Sequence, residues 1–129
     1  MTAKHSISFT VKDSEIDDMG HVNNVVYLKW VQDVAISHWS SVAEPDDLEN
    51  YRWVVRRHEL DYLKAAMPND TITAITWIES LEGVSSVRMV DIKRGETLLA
   101  KAKTTWIMLD AKTGRPARVT QKMQDSFLI

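Results

Sequence analysis

Apolar and polar residues alternate at the beginning of the chain. Ile7, Phe9 and Val11 are separated by a serine and a threonine, and such alternation is typical of a half-buried strand. The acidic segment 13–18 then interrupts the pattern. We therefore predict a strand over residues 7–11, followed by a polar loop.

A helical period replaces the alternation from Val25 onward. Apolar residues recur at spacings of three and four, at Tyr27, Trp30, Val31, Val34, Ala35 and His38. Further apolar residues widen this surface beyond one face, so the helix is expected to be covered on most sides, as a curved sheet would do. The pattern predicts one long helix that ends near residues 42–45.

The rest of the chain is dominated by strand patterns. Strictly alternating or β-branched runs predict four strands, at residues 53–62, 71–78, 84–92 and 98–109. Short turns separate them, and short links favour antiparallel neighbours. Segment 44–50 is interpreted as an acidic loop and 119–127 as a short amphipathic helix. The predicted fold class is α+β, an antiparallel meander wrapped on one long helix, in a single domain over residues 1–129.

The composition excludes several classes of protein. The chain has no cysteine, which excludes disulfides, thiolate metal sites and a cysteine nucleophile, and suits a reducing compartment. A net charge of −2 gives no indication of nucleic-acid binding. No apolar run approaches the roughly 20 residues that a membrane span requires, and no signal peptide is visible. We expect a cytoplasmic protein.

Glycine and histidine spacing excludes further chemistry. The four glycines are too scattered for a phosphate-binding loop or a G-x-S-x-G nucleophile elbow. The four histidines form no H-E-x-x-H motif. His38 is expected to be a hydrogen-bonded core or surface residue, and His58 and Asp61 should point to opposite faces of a strand. We expect neither a metal nor another cofactor.

The segment between Asp17 and Asn24 is the strongest candidate for chemistry. It places a carboxylate, a glycine turn and two asparagines just before the helix. A helix start exposes unpaired N–H groups and carries partial positive charge. A carboxylate beside such donors could attack a carbonyl while the donors stabilise the oxyanion. The same residue types are also common in turns and N-caps, so both interpretations stay open at this point.

The same segment carries a family resemblance. Residues Glu15 to Leu28, with Gly-His-Val-Asn-Asn-x-x-Tyr at the centre, resemble the opening motif of the hotdog-fold acyl-CoA thioesterases, and of the 4-hydroxybenzoyl-CoA thioesterase-like branch in particular. Later segments resemble the family in the same order; they are 58–65, 69–70, 104–110 and 113–116. The resemblance implies a five-stranded antiparallel sheet wrapped around a long central helix. It also implies a homodimer or homotetramer with the active site at the subunit interface.

The resemblance assigns roles to individual residues. Asp17 would be the nucleophile or the general base, and the backbone N–H of Asn24 would polarise the thioester carbonyl. Asp18 is the competing carboxylate, one position out of register. The remaining loop residues would order the loop or contact substrate; they are Gly20, His21, Asn23 and Tyr27. Glu15 stands where many relatives have Asp.

The implied function is hydrolysis of an acyl-CoA to the free acid and coenzyme A, without a cofactor. Two alternatives remain: the same reaction on acyl carrier protein, and a non-catalytic acyl-binding module. Candidate cations for the coenzyme A phosphates are Arg56, Arg57, Lys64, Lys93, Arg94 and Arg115. Candidate walls of an acyl pocket, which could equally be core, are Trp30, Trp39, Trp53, Trp77 and Met89.

Overall fold

The computed structural model describes residues 3–128. A short 3₁₀ turn at Asp13–Glu15 separates the first strand from the first helix. The strands are β1 His5–Thr10, β2 Tyr51–Tyr62, β3 Thr71–Glu82, β4 Ser85–Arg94 and β5 Thr97–Asp110, and the helices are α1 Asn24–Val42, α2 Pro45–Asn50 and α3 Gln121–Phe127. No helix in the described range is both long and apolar enough to cross a membrane.

The five strands form one antiparallel sheet in the order β1-β3-β4-β5-β2. Helix α1 packs against β1, β3 and β4. The predicted α+β hotdog architecture is therefore confirmed. The predicted meander holds only for β3 to β5, because β2 pairs with β5 and not with its chain neighbour β3. The segment that connects β2 to β3 must therefore cross the sheet, because β2 is an edge strand and β3 lies beside the opposite edge strand, β1.

Strand β2 departs from the strict alternation that the sequence predicts. The pairing of β2 with β5 slips by one residue between Val55 and Arg57. Trp53 and Val55 are half-buried before the slip, and His58 and Leu60 are half-buried after it. A bulge inserts one extra residue and so exchanges the faces of the strand. Alternation carried through the whole strand would place Trp53 and His58 on opposite faces, so the prediction is wrong across the bulge.

The acidic segment 44–50 is not a loop, as the sequence pattern suggested. Residues Pro45–Asn50 form α2, which begins after Glu44. Proline at the first helical position is pre-organised for a helix, and acidic side chains in the first turn suit its positive end. Asp46 and Asp47 occupy that first turn. The features that indicated a loop here are thus helix-start signals.

The core consists of two clusters along α1. The N-terminal half of α1 contributes Tyr27, Trp30, Val31 and Val34 to the first cluster. The second cluster lies under α3 and includes Met123 and Phe127. The inner face of β5 is lined by small buried residues; they are Ala100, Ala102 and Thr104. The two clusters hold the two ends of α1 against the rest of the protein. Different polar residues lie near each end.

Candidate functional site

The loop before α1 folds back on itself. An isolated antiparallel bridge joins Ile16 to Val22, and the Asp17 N–H donates to the His21 carbonyl at 2.8 Å. Gly20 turns the chain with φ of +79°, in the left-handed region that glycine adopts without strain. The tip of this turn therefore presents Asp17 and His21 opposite one another.

The Asp17 carboxylate has one engaged oxygen. Oδ1 accepts the Met19 N–H at 2.9 Å and the His21 N–H at 3.4 Å. Among the hydrogen bonds of residues 3–128, none uses Oδ2. The side chain is half-buried, whereas Asp18 is exposed. Asp17 thus combines a structural role in the turn with an oxygen that remains available.

Helix α1 begins where the resemblance places an oxyanion donor. Asn23 is the N-cap, and its Oδ1 accepts the Val25 N–H at 3.0 Å. Val26 N–H donates to the Asn23 carbonyl at 2.9 Å. The N–H of Asn24 makes none of the hydrogen bonds found in the described part of the chain. It is therefore an unpaired donor at the positive end of a nineteen-residue helix.

Two further residues of the motif hold the loop in place. Glu15 Oε1 accepts the Lys12 N–H at 2.8 Å, and Oε2 accepts the indole N–H of Trp30 at 3.3 Å. Tyr27 is buried, and its hydroxyl accepts the Ala66 N–H at 2.8 Å. Burial raises the pKa of the Tyr27 phenol. The Tyr27 hydroxyl is thus engaged in packing, while the His21 side chain is exposed beside the turn.

The edge strand β2 contacts this loop. The Tyr62 hydroxyl donates to the Asn24 carbonyl at 2.9 Å, and Tyr62 packs edge-on against Tyr27 with ring centroids 5.2 Å apart.

Of the candidate phosphate-binding cations, Arg94 is already paired with Asp70 at 2.7 Å. Within residues 3–128, no three His, Asp or Glu side chains cluster as metal ligands.

A cavity of about 380 Å³ lies at the other end of α1. Trp39 and Trp53 line it with Phe127, so two of the tryptophans proposed for an acyl pocket reach it. Trp30 instead belongs to the core, and Trp77 lies under Lys4 with Nζ 4.9 Å from the ring. Residues 17–24 do not line this cavity. This cavity of the single chain is therefore separate from the loop that contains Asp17.

Several polar residues line the same cavity, and no motif in the sequence indicates a role for Ser86, Arg88 or Trp106 among them. Ser86 and Arg88 lie on the inner face of β4, and Trp106 lies opposite Ser86 on β5. The sequence does contain a signal that Arg88 faces inward. Residues of β4 alternate between its two faces, and Asp91, which favours solvent, lies on the face opposite to Arg88. The inward face would then contain Arg88.

Comparison with known proteins places the chain among thioesterases. Residues 2–127 match the family model described as the acyl-ACP thioesterase N-terminal domain. The chain is 21% identical over 124 residues to the long-chain acyl-CoA thioesterase FadM of Escherichia coli (strain K12), a match that covers 91% of this chain and 92% of that protein.

Two other matches differ in extent. The chain is 28% identical over 80 residues to oleoyl-acyl carrier protein thioesterase 2, chloroplastic, of Arabidopsis thaliana, which covers 60% of this chain and 22% of that protein. A structure described as a predicted thioesterase from Bacillus stearothermophilus superposes with a TM-score of 0.87 at 24% identity, over 97% of this chain and 94% of that one. That superposition supports the fold.

Proposed function

Because the chain belongs to the acyl-ACP thioesterase family and is a thioester hydrolase, we propose that it cleaves acyl-coenzyme A to a free acid and coenzyme A. The observation that carries the proposal is that an available Asp17 oxygen and an unpaired Asn24 N–H both occur at the same end of α1. One group attacks or activates water, and the other receives the charge that develops on the carbonyl oxygen.

Asp17 acts in one of two ways in this proposal. As a nucleophile, Oδ2 adds to the thioester carbon, the C–S bond breaks, and water then hydrolyses the mixed anhydride. As a general base, it removes a proton from the water that attacks the same carbon. The turn supports both, because Met19 and His21 N–H groups hold Oδ1 and so orient Oδ2. A positioned base typically contributes roughly 10²–10⁴-fold to the rate.

The Asn24 N–H stabilises the oxyanion in both versions. It is a backbone group, so its position depends on the helix and on the Asn23 cap rather than on the Asn24 side chain. The helix dipole adds partial positive charge at the same place. Loss of one such donor costs about 2.7–4 kcal/mol in other enzymes. Gly20, His21, Asn23 and Tyr27 order the loop around this donor or contact the substrate.

A second copy of the chain completes the cleft in this proposal. Strand β2 is twelve residues long and lies at an edge of the sheet, and a long edge strand tends to pair with another chain. Exposed apolar residues lie along β2 and α1, including Val54, Tyr62 and Ile36. The Tyr62 contact with Asn24 connects this edge to the catalytic loop. We therefore place the active site at the interface of a homodimer or homotetramer.

Coenzyme A is preferred over acyl carrier protein as the carrier. A net charge of −2 gives no overall attraction to an acidic carrier protein, and the acyl-CoA relative is matched over 92% of its length. The acyl-carrier-protein relative, matched over 22% of its length, keeps the alternative open. The absence of cysteine suits a cytoplasmic location, which we also propose.

The test compares the two carriers directly. Matched acyl groups of several lengths are presented on coenzyme A and on acyl carrier protein, and thiol release is followed with a colorimetric thiol reagent. We expect a higher kcat/KM with coenzyme A. A preference for the carrier protein would move the assignment to that substrate, and tight acyl-CoA binding without turnover on either carrier would overturn the catalytic proposal.

A further inference from the structure

The cavity under the C-terminal half of α1 contains a positive charge without a protein counter-ion. Arg88 is 5% exposed, and its Nη1 donates to His38 Nδ1 at 2.8 Å and to Thr76 Oγ1 at 3.1 Å. Arg88 forms no ion pair with a carboxylate of residues 3–128. Both of its acceptors are neutral groups, so its charge is uncompensated.

The Arg88 guanidinium nevertheless keeps its positive charge at neutral pH. Burial lowers the pKa of Arg88 to about 10, which leaves the guanidinium protonated at neutral pH. Burial of an unpaired cation is costly, and proteins normally compensate such a charge with an anion. The remaining donors, Nε and Nη2, make none of the hydrogen bonds found in the described residues. An anion in the cavity would satisfy both the charge and these donors.

Two more donors line the same cavity. The Ser86 hydroxyl and the Trp106 indole N–H are buried and have no hydrogen-bond partner among the residues described. They stand directly opposite each other on β4 and β5, and Arg88 is two residues further along the same face of β4. Cross-strand neighbours lie about 5 Å apart and alternate residues about 7 Å apart. The three donors therefore fall within one small patch of the sheet.

The walls around this patch are mostly apolar and aromatic, with Gln32 and Arg52 as the further polar side chains. Trp39 packs edge-on against Trp53, with ring centroids 5.7 Å apart, and stacks on Phe127, with ring centroids 5.6 Å apart. The volume of about 380 Å³ is within the range of roughly 300–1,000 Å³ that ligand pockets occupy. An apolar pocket with a few convergent polar groups is the usual form of a small-molecule site.

We infer that this cavity binds an organic carboxylate with an apolar body, and that Arg88, Ser86 and Trp106 hold its carboxylate. A guanidinium matches a carboxylate in planar, two-pronged geometry, and the aromatic walls cover the apolar part. Two molecules could supply this chemistry: a free monocarboxylic acid, or the distal carboxylate of a dicarboxylic acyl thioester. Only the second source would make the cavity part of the substrate site, and that reading rests on the proposed function.

The primary test measures binding without turnover. Isothermal titration calorimetry at pH 7.5 compares octanoate with octanamide, which has the same apolar body and no charge. We expect octanoate to bind at least about tenfold more tightly, because a hydrogen bond to a charged group contributes about that much or more. Equal affinities for octanoate and octanamide would overturn the inference.

Two variants and a matched control locate the interaction. Arg88→Met removes the charge at similar length and should reduce the octanoate preference to about one. Trp106→Phe removes the indole N–H together with part of the ring, and should weaken octanoate binding by about two- to tenfold while the octanamide titration reports any loss of apolar contact. Trp77→Phe is the matched control, since Trp77 does not line the cavity, and should bind as the wild type does. Thermal denaturation checks that each variant is folded.

Should Arg88→Met fail to fold, Trp106→Phe and Ser86→Ala decide the question. An unchanged octanoate preference in those two folded variants would overturn the inference. This outcome is separate from failure of the proposed function, because no turnover enters the measurement.

A second measurement distinguishes the two sources. Hydrolysis of suberoyl-CoA, whose acyl group ends in a carboxylate, is compared with that of octanoyl-CoA in the wild type and in a folded cavity variant. A preference for suberoyl-CoA that Arg88→Met abolishes indicates the substrate's own carboxylate. Inhibition by octanoate that the variant relieves indicates the free acid. If neither quantity differs between wild type and variant, no carboxylate is recognised there and the inference fails.

Discussion

The Arg88 guanidinium donates a hydrogen bond to Nδ1 of His38 at 2.8 Å and so joins the sheet to the central helix. Both side chains are buried. Arginine has no acceptor, so Nδ1 of His38 must be unprotonated and the imidazole neutral. Burial, with the nearby charges of Arg88 and His5, lowers the pKa of His38 to about 4. The junction between α1 and β4 therefore depends on a histidine that does not take up a proton near neutral pH.

Acidification should destabilise the protein through His38. Between pH 6.5 and about 4 the unfolded chain binds a proton at this position that the folded protein does not, so stability rises with pH across this window. The free energy of unfolding should change by roughly 3 kcal/mol at most across this window. Urea denaturation at pH 7, 5.5 and 4.5 measures it. His38→Gln, which keeps an acceptor but does not titrate, should lose part of the pH dependence; identical profiles for the two proteins would contradict this prediction.

Asp17→Asn should abolish most of the hydrolytic activity without unfolding the loop. The asparagine Oδ1 can still accept the Met19 and His21 N–H groups, but the charge needed for attack or proton removal is lost. We expect kcat to fall by roughly 10²–10⁴-fold. The matched control is Asp18→Asn, one position away and exposed, which should remain near wild-type activity. Full activity in Asp17→Asn would remove Asp17 from the mechanism.

Tyr27→Phe should destabilise the fold. The change leaves the Ala66 N–H, buried beneath the loop, without its acceptor, and an unsatisfied buried donor costs about 1–3 kcal/mol. Chemical denaturation measures the loss. Tyr62→Phe is the comparison, because the Tyr62 side chain is 44% exposed and water can replace its bond to Asn24. A loss for Tyr62→Phe as large as that for Tyr27→Phe would argue against this account.

A lysine on strand β2 should disrupt assembly. Lysine on an edge strand opposes pairing with another chain, and Val54 lies exposed on β2. We expect Val54→Lys to shift the protein toward monomer and to lower its activity, as measured by light scattering and hydrolysis. Ser8→Lys makes the same change on β1, the other edge of the sheet, and should leave assembly intact. Dissociation caused by Ser8→Lys alone would place the interface on β1.

The local elements of this protein are determined by the sequence itself. Periodicity predicts α1 and the strands because each pattern reflects which residues share a face, and the turn before α1 follows from the conformational needs of Gly20 and the capping ability of Asn23. The loop predicted for segment 44–50 is wrong for a related reason: proline and acidic residues occur both in loops and in first helical turns, and local composition does not separate the two.

Long-range pairing was decided only by the tertiary structure. Strand β2 lies beside β5, and its bulge near Arg56 exchanges faces midway, which no local pattern specifies. The juxtaposition of Arg88 with His38, fifty residues apart, depends on the packing of α1 against β4. That of Ser86 with Trp106 depends on the register between β4 and β5. Register is set by the pattern of buried residues and by turn geometry, and a slip of one residue would move every side chain to the opposite face of the sheet. The helix start near Asp17 could therefore be found by spacing, whereas the cavity at the other end of that helix exists only in the folded chain.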